Sequence, residues 1–339
     1  MQGTTTIDEL DLALVAALMA SPRAPWTRVA AAVGVSASAA SRRWQRLAEE
    51  QLAWTTAHPG KHFTDWGVFA VASLRCDVDR ITSAADELAD DPMAITVEVM
   101  SGATDIEVTI ATATWAEYTA YLLTRLPGIE GVRAVDSMVV TRIHREGSEW
   151  RPGALDAAQR NRLPTEEGVT AEAPPMDGVD IVLCQALGED ARMSLEVLAQ
   201  RCGTSPSSVT RRIRRLVGHG VLALRCDLAA PQWAWPVQAR VRGHLSSESR
   251  SGPLRTEDTT EVRLAVSGTG EHGMHATVWL RRVVELPDVE QRLCAAWPGF
   301  VVGDRSLTLR TLKRMGNRLG ADGRREGYQG LLTWEGYLD

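Results

Sequence analysis

Two stretches of this chain lie over one another at a single offset. Ser36–Ala48 (SASAASRRWQRLA) and Ser205–Val217 (SPSSVTRRIRRLV) align without a gap. Ser36 meets Ser205, Ser38 meets Ser207 and Ser41 meets Thr210, while Arg42, Arg43 and Arg46 meet Arg211, Arg212 and Arg215. The offset of 169, the difference between 36 and 205, also relates Asp11 to Asp180, Leu14 to Leu183, Arg23 to Arg192, Gly34 to Gly203 and Trp66 to Trp235. A register held over more than fifty residues is an internal duplication. It constrains the fold more than any composition does, because a fold assigned to one copy must also serve the other.

The second of these stretches reads as a short basic helix. Ser205 can cap it by accepting from a first-turn N–H, and Pro206 suits the first helical position. Val209, Ile213 and Leu216 or Val217 fall at helical spacing and form an inward stripe. Arg211, Arg212, Arg214 and Arg215 project away from that stripe. No Asp or Glu occurs from Val197 to Cys226 or from Leu12 to Ala48, in a chain of net charge −6. A local basic surface on an acidic protein points to a polyanionic partner. A solvated arginine face is the alternative for one such run, and its recurrence at one register makes that alternative the weaker one.

With 339 residues, the chain has room for two to four domains. No apolar run approaches the roughly 18 residues of a membrane span, and the opening MQGTTTIDELDL has no signal-peptide pattern. Five cysteines without a CxxC pair suit a reducing cytoplasm better than a disulfide framework or a zinc site. No cofactor, metal or catalytic constellation stands out, and Glu107, Glu117 and Asp136 in the first copy have no matching acids in the second.

Residues 8–20, 26–33 and 36–48 read as three helices, the last two joined by a turn at Gly34, which is a helix-turn-helix. Leu52–Thr56 is a candidate wing strand. The second copy places its helices near 177–188, 194–202 and 206–217, with Val221–Arg225 as its wing. Residues 66–145 then read βαββαβ, the ferredoxin-like order, and 235–312 repeat it less well. In the second repeat, SSESRSGPLRTEDTT carries Gly252 and Pro253 where the first helix belongs, so that helix is expected to be short or absent. The expectation is therefore an α+β chain divided as follows: a winged helix-turn-helix over 1–58, a ferredoxin-like domain over 64–145, a polar linker over 146–175 that lets the halves reorient, a second helix-turn-helix over 176–228, a second, degenerate ferredoxin-like domain over 233–314, and a polar tail over 315–339 whose Tyr328, Leu331, Leu332, Trp334 and Tyr337 can dock on a neighbour.

In order and spacing, IDELDLALVAAL, VAAAVGVSASAASRRWQRL, VMSGATDIEVTI and LPGIEGVRAVDSMVV resemble the leucine-responsive/asparagine-regulator (Lrp/AsnC) family of bacterial transcription regulators. MDGVDIVLCQAL, LAQRCGTSPSSVTRRIRRL and VSGTGEHGMHATVWL repeat the resemblance. The resemblance implies a tandem fusion of two units that each normally stand alone. It makes 36–48 and 205–217 recognition helices for double-stranded DNA, with Ser36, Ser38, Ala39, Ser41, Arg42, Arg43, Arg46, Ser205, Ser207, Ser208, Thr210, Arg211, Arg212, Arg214 and Arg215 as the contact set. It further implies an amino acid or related metabolite as effector near the β2–β3 loops, at Gly102, Thr104 and Asp105 and at Gly268, Gly270 and Glu271. Without the resemblance, both loops read as hairpin turns. The ferredoxin-like domains are expected to pair within the chain or between chains of a homo-oligomer, in the cytoplasm and away from membranes.

On this reading the chain is not an enzyme. The competing reading is a siroheme decarboxylase, a class that resembles this two-domain plan and also occurs as fused pairs. Its His-Asn-Tyr-x-Arg segment is missing from Thr96–Met100 and from Val262–Val266, while His272 and His275 are candidate tetrapyrrole contacts.

Overall fold

The computed structural model describes residues 7–164, 176–246, 259–331 and 334. Helices α1 (Glu9–Ala20), α2 (Trp26–Val33) and α3 (Ala37–Glu49) form the first helix-turn-helix, followed by strand β1 (Ala53–Pro59). Each helix end has a local cause. At the start of α1, the Asp8 carboxylate accepts from the Asp11 N–H at 2.7 Å while Asp11 accepts from the Asp8 N–H, a reciprocal cap. Gly34 closes α2 at φ +80°, a left-handed conformation that favours glycine. The Ser36 hydroxyl caps α3 by accepting from the Ala39 N–H.

The first ferredoxin-like unit follows with β2 (Val68–Cys76), α4 (Ile81–Ala89), β3 (Ala94–Met100), β4 (Ile106–Thr112), α5 (Trp115–Ala120) and β5 (Val132–Arg145). After a single turn, α6 (Ala157–Arg160), the second helix-turn-helix is α7 (Gly178–Glu189), α8 (Leu195–Arg201) and α9 (Pro206–Gly218), with β6 (Leu222–Leu228) behind it. The second sheet unit comprises β7 (Val237–Leu245), β8 (Val262–Gly268), β9 (Met274–Leu280), α10 (Leu286–Ala296) and β10 (Phe300–Arg314). Two short strands, β11 (Asn317–Leu319) and β12 (Arg325–Tyr328), extend it. The stretch in which the sequence placed a weak first helix lies outside the described residues.

The two candidate wing strands pair with each other. β1 and β6 form an antiparallel two-stranded sheet in which Ala53 faces Leu228 and Pro59 faces Leu222. Its central pair is Thr56 and Arg225, two positions related by the same offset of 169. A ladder that pairs a position with its own duplicate places a pseudo-two-fold axis there, as in an isologous dimer. A second contact obeys the same axis. Arg23 donates to the carbonyls of Ala191 and Met193, and its duplicate Arg192 donates to those of Pro22 and Ala24.

The sheets also pair inside the chain. Each unit has the ferredoxin strand order, β5-β2-β4-β3 and β10-β7-β9-β8. β5 pairs with β8 and β10 pairs with β3, so the eight strands close into a barrel with no free edge among them. Helices α4, α5 and α10 cover the outside, over cores built on Leu74, Leu88 and Ile110 and on Val278, Leu293 and Trp297. The pairing between chains that a homo-oligomer would supply is thus met within one chain.

The linker and the tail are both packed against the rest of the chain. In the linker, Trp150 is 2% exposed, donates its indole N–H to the Thr260 carbonyl at 2.9 Å and lies edge-on to Trp235 and Trp279. Leu155 and Leu163 join the first helix-turn-helix core. This holds 146–164 in place, contrary to the reorienting linker expected from its polar composition, because three apolar residues among polar ones suffice to anchor it. In the tail, Leu331 and Trp334 are buried in the second helix-turn-helix core. Leu332 and Tyr337 lie outside the described residues.

Candidate nucleic-acid interface

On α9 the apolar stripe is buried as its spacing requires: Val209 and Leu216 are fully covered and Ile213 nearly so. Burying such a side chain contributes about 1.5–3 kcal/mol, and this fixes which arginines turn outward. Ser205 caps the helix by accepting from the Ser208 N–H, and its hydroxyl lies 3.0 Å from that of Ser207. Thr210 turns its hydroxyl back onto the Pro206 carbonyl. Ser36 and Ser38 make the equivalent hydroxyl pair on α3. The N-terminal turns of both helices, with Ser36, Ser38, Ser205 and Ser207, are exposed, and Ala39, Ser41 and Ser208 are half-covered beside them.

The arginines divide into two groups. Arg212 donates to Asp177 and Asp180, at 2.9 and 2.7 Å, and Arg215 also binds Asp180. In the first copy Arg43 binds Asp8 and Asp11, at 2.8 and 2.9 Å, and Arg46 binds Asp11 at 2.5 Å. Asp11 and Asp180 are fully buried. These carboxylates are the same ones that cap α1 and α7, so one acid per copy fixes a helix start and anchors the basic helix. The hydrogen bonds that Arg43 donates to Asp11 and Asp8, and Arg212 to Asp177 and Asp180, raise the pKa of each arginine.

The sequence grouped all seven arginines as DNA contacts. In the structure Arg43, Arg46, Arg212 and Arg215 are paired with acids of their own domain. The balancing acids sit just upstream of the acid-free windows and come close only through folding. Arg42, Arg211 and Arg214 remain exposed, and among the described residues no carboxylate pairs with them.

The candidate effector loops have a structural role. In the first, Gly102 adopts φ +92°, the Asp105 carboxylate accepts from the Cys76 N–H at 2.8 Å, and Thr104 is nearly buried. Ser101 exchanges hydrogen bonds with Leu307 of β10. In the second, Gly270 adopts φ +88°, Thr269 exchanges bonds with Val139 of β5, and Glu271 is exposed. A Cβ on Gly268 would sit 2.3 Å from the Val139 oxygen, so this turn needs glycine for close approach. Both loops are hairpin turns that help close the barrel.

Sequence reasoning missed the charged interior of that barrel. Arg240 of β7 donates to Glu107 at 2.6 Å and to Glu98, and Arg242 donates to Glu107. Asp227 of β6 takes Arg225 at 2.9 Å and Arg263 at 2.7 Å, with Arg314 at 3.6 Å. Burial, then Arg242 and Arg314, lowers the Arg240 pKa to about 9, so it stays charged at neutral pH. Burial, then Arg240 and Arg242, hold His275 neutral, its Nε2 3.8 Å from Glu107. Inside the barrel the first copy supplies acids where the second supplies cations. The available signal was Arg240 and Arg242, two apart on a strand and so on one face.

The AsnC-type helix-turn-helix domain matches residues 7–48 and again 176–217, so the chain carries that domain twice. The tandem protein is similar to the HTH-type transcriptional regulator LrpA of Mycobacterium tuberculosis, 29% identical over 129 residues, covering 35% of this chain and 81% of that protein. Its whole-chain fold is similar to that of the siroheme decarboxylase NirDL, at TM-score 0.58 and 11% identity over 97% of each chain. NirDL in co-complex with an iron-uroporphyrin III analogue aligns at TM-score 0.56 and 11% identity, over 91% of this chain and 93% of that one. This match overturns the expectation that the tandem protein is not an enzyme. The plan from which that expectation was drawn is shared, end to end, with an enzyme. Among the described residues no helix is long and apolar enough to cross a membrane.

Proposed function

We propose that the tandem protein is a sequence-specific, double-stranded-DNA-binding transcription regulator that carries both recognition helices of a pseudo-dimer in one chain and responds to a small organic effector. The observation that carries the reading is the exposed set Arg42, Arg211 and Arg214. These cations stand on the outer faces of helices whose other arginines are neutralised, in two domains related by the Thr56/Arg225 axis. Serine hydroxyls and exposed helix N-termini beside them suit phosphate oxygens, and an arginine on a guanine edge would supply about 1–3 kcal/mol of base discrimination.

The two helices are not identical. Ala39 faces Ser208, Trp44 faces Ile213, and Arg214 has Gln45 as its counterpart. The expected operator is therefore an imperfect inverted repeat, with half-site centres about 10 base pairs apart or a multiple of that. Selection of bound fragments from genomic DNA by the purified protein tests the reading. Recovery of a bipartite consensus supports it, and recovery of no consensus at low salt counts against it.

A second reading, enzymatic action on a polycarboxylated tetrapyrrole, is favoured by one observation, the whole-chain likeness to NirDL. Incubation with siroheme and chromatography of the products tests it. Loss of carboxylate groups from the tetrapyrrole would put this reading first.

A further inference from the structure

A small cavity, about 60 Å³, lies where the helix-turn-helix pair meets one end of the barrel. Arg225 of β6 enters it from one side, and Arg240, Arg263 and Arg314 enter from the barrel. Of these, Arg225, Arg240 and Arg263 are 3–4% exposed. Among the described residues, four buried polar atoms in this lining have no hydrogen-bond partner: Nε of Arg225, Nη1 of Arg240, Oγ1 of Thr277 and Nη1 of Arg314, which is 3.6 Å from the Asp227 carboxylate. Buried donors left unpaired are costly, and native interiors satisfy the great majority of theirs, so several converging on one space call for an acceptor in it.

The charges agree. Five guanidinium groups, those of Arg225, Arg240, Arg242, Arg263 and Arg314, face three carboxylates, Glu98, Glu107 and Asp227, an excess of two. A fourth acid, Glu146, stands near Arg225, and burial raises its pKa to about 7. Uncompensated buried charge is expensive unless paired. The remaining wall is apolar at Phe69, Leu264 and Met315. The cavity thus offers cations at one set of points and carbon contacts at another.

We infer that this cavity binds a small organic anion bearing one or two carboxylates on an apolar body, bridging Arg225 of the helix-turn-helix layer to Arg240 and Arg314 of the barrel. The site deepens the regulator reading and rests on it only for the consequence, since an anion tied to both layers would fix the spacing of the recognition helices. The site is not formed by the two glycine-containing hairpin loops.

The test uses the full chain without DNA, so its failure is separable from failure of the regulator reading. Succinate, adipate, inorganic phosphate and the neutral isostere hexane-1,6-diol are titrated by calorimetry. The expected result is saturable binding of succinate or adipate at one site per chain, at least tenfold weaker in Arg314→Gln, with no binding of the diol. Arg314→Gln leaves Asp227 with both Arg225 and Arg263. Should that variant not fold, Leu264→Trp fills the space while keeping every arginine, and it too should abolish binding. No saturable binding of either dicarboxylate, or undiminished binding by the folded variants, overturns the assignment. Phosphate binding as tightly as adipate overturns the organic part of it.

Discussion

Arg211 and Arg212 are adjacent in sequence and should fail in opposite ways. Arg211 is exposed without a carboxylate partner among the described residues, so Arg211→Ala should leave stability within about 0.5 kcal/mol, as surface changes usually do. Its effect should fall on DNA. If the side chain meets a guanine edge, about 1–3 kcal/mol is lost, roughly a 5- to 150-fold weaker complex. If it meets a phosphate, the slope of log affinity against log salt shrinks by about 0.9. Arg212 is 20% exposed and binds the buried Asp180 at 2.7 Å and the half-exposed Asp177 at 2.9 Å. Removing it leaves Asp180 only Arg215 and the Asp177 N–H. Loss of one charge-assisted hydrogen bond at a buried acceptor costs about 1.5–3 kcal/mol, whereas the Asp177 contact, in solvent, adds about 0–1. Urea unfolding followed by circular dichroism, alongside fluorescence anisotropy on a selected operator across a salt series, reads both quantities. A stable Arg212→Ala with a purely DNA-binding defect would refute the division of the arginines. So would Arg211→Ala with unchanged affinity and unchanged salt slope.

Other outcomes follow from the same contacts. Glu107→Ala should destabilise the chain by about 3–5 kcal/mol, because it strands Arg240 and Arg242 inside the barrel; in a double-mutant cycle with Arg240→Ala, the combined loss should be smaller than the sum. Replacing Arg23 and Arg192 together by Ala should lower the urea midpoint by more than either single change, since each fastens one helix-turn-helix to loop carbonyls of the other. Glu146 has a pKa raised by burial to about 7, above the roughly 4.3 of an unfolded glutamate. The folded state holds a proton that the unfolded chain releases, so stability is lost as pH rises through about 7. Glu146→Gln should remove that decline, and wild type should lose stability relative to it between about pH 4 and pH 7 in urea titrations.

The helices, their caps and the duplication were legible because each rests on neighbours a few residues apart. Ser205, Pro206, Gly34 and the Val209–Ile213–Leu216 stripe are local signals, and the structure uses them as such. What the sequence concealed depends on distant partners. Asp11 and Asp180 lie 35 residues from Arg46 and Arg215, the arginines that they neutralise, so the basic helices looked more charged than they are. Glu107 was set aside for want of a matching acid in the second copy. Its partners there are cations, Arg240 and Arg242, because the barrel interior joins unlike halves. That complementarity also favours pairing within the chain over pairing with a second molecule, where like charges would meet. The linker was read by average polarity, which hides a single anchor such as Trp150.

The central claim is that one chain presents two recognition helices to a duplex about a pseudo-two-fold axis. Hydroxyl-radical footprinting of the purified protein on a fragment that it selects from genomic DNA tests it most directly. The account predicts two protected half-sites in inverted orientation, one turn or a whole number of turns apart, with Arg42→Ala weakening protection of one half-site and Arg211→Ala that of the other. Protection of a single half-site, or both substitutions weakening the same one, would contradict it.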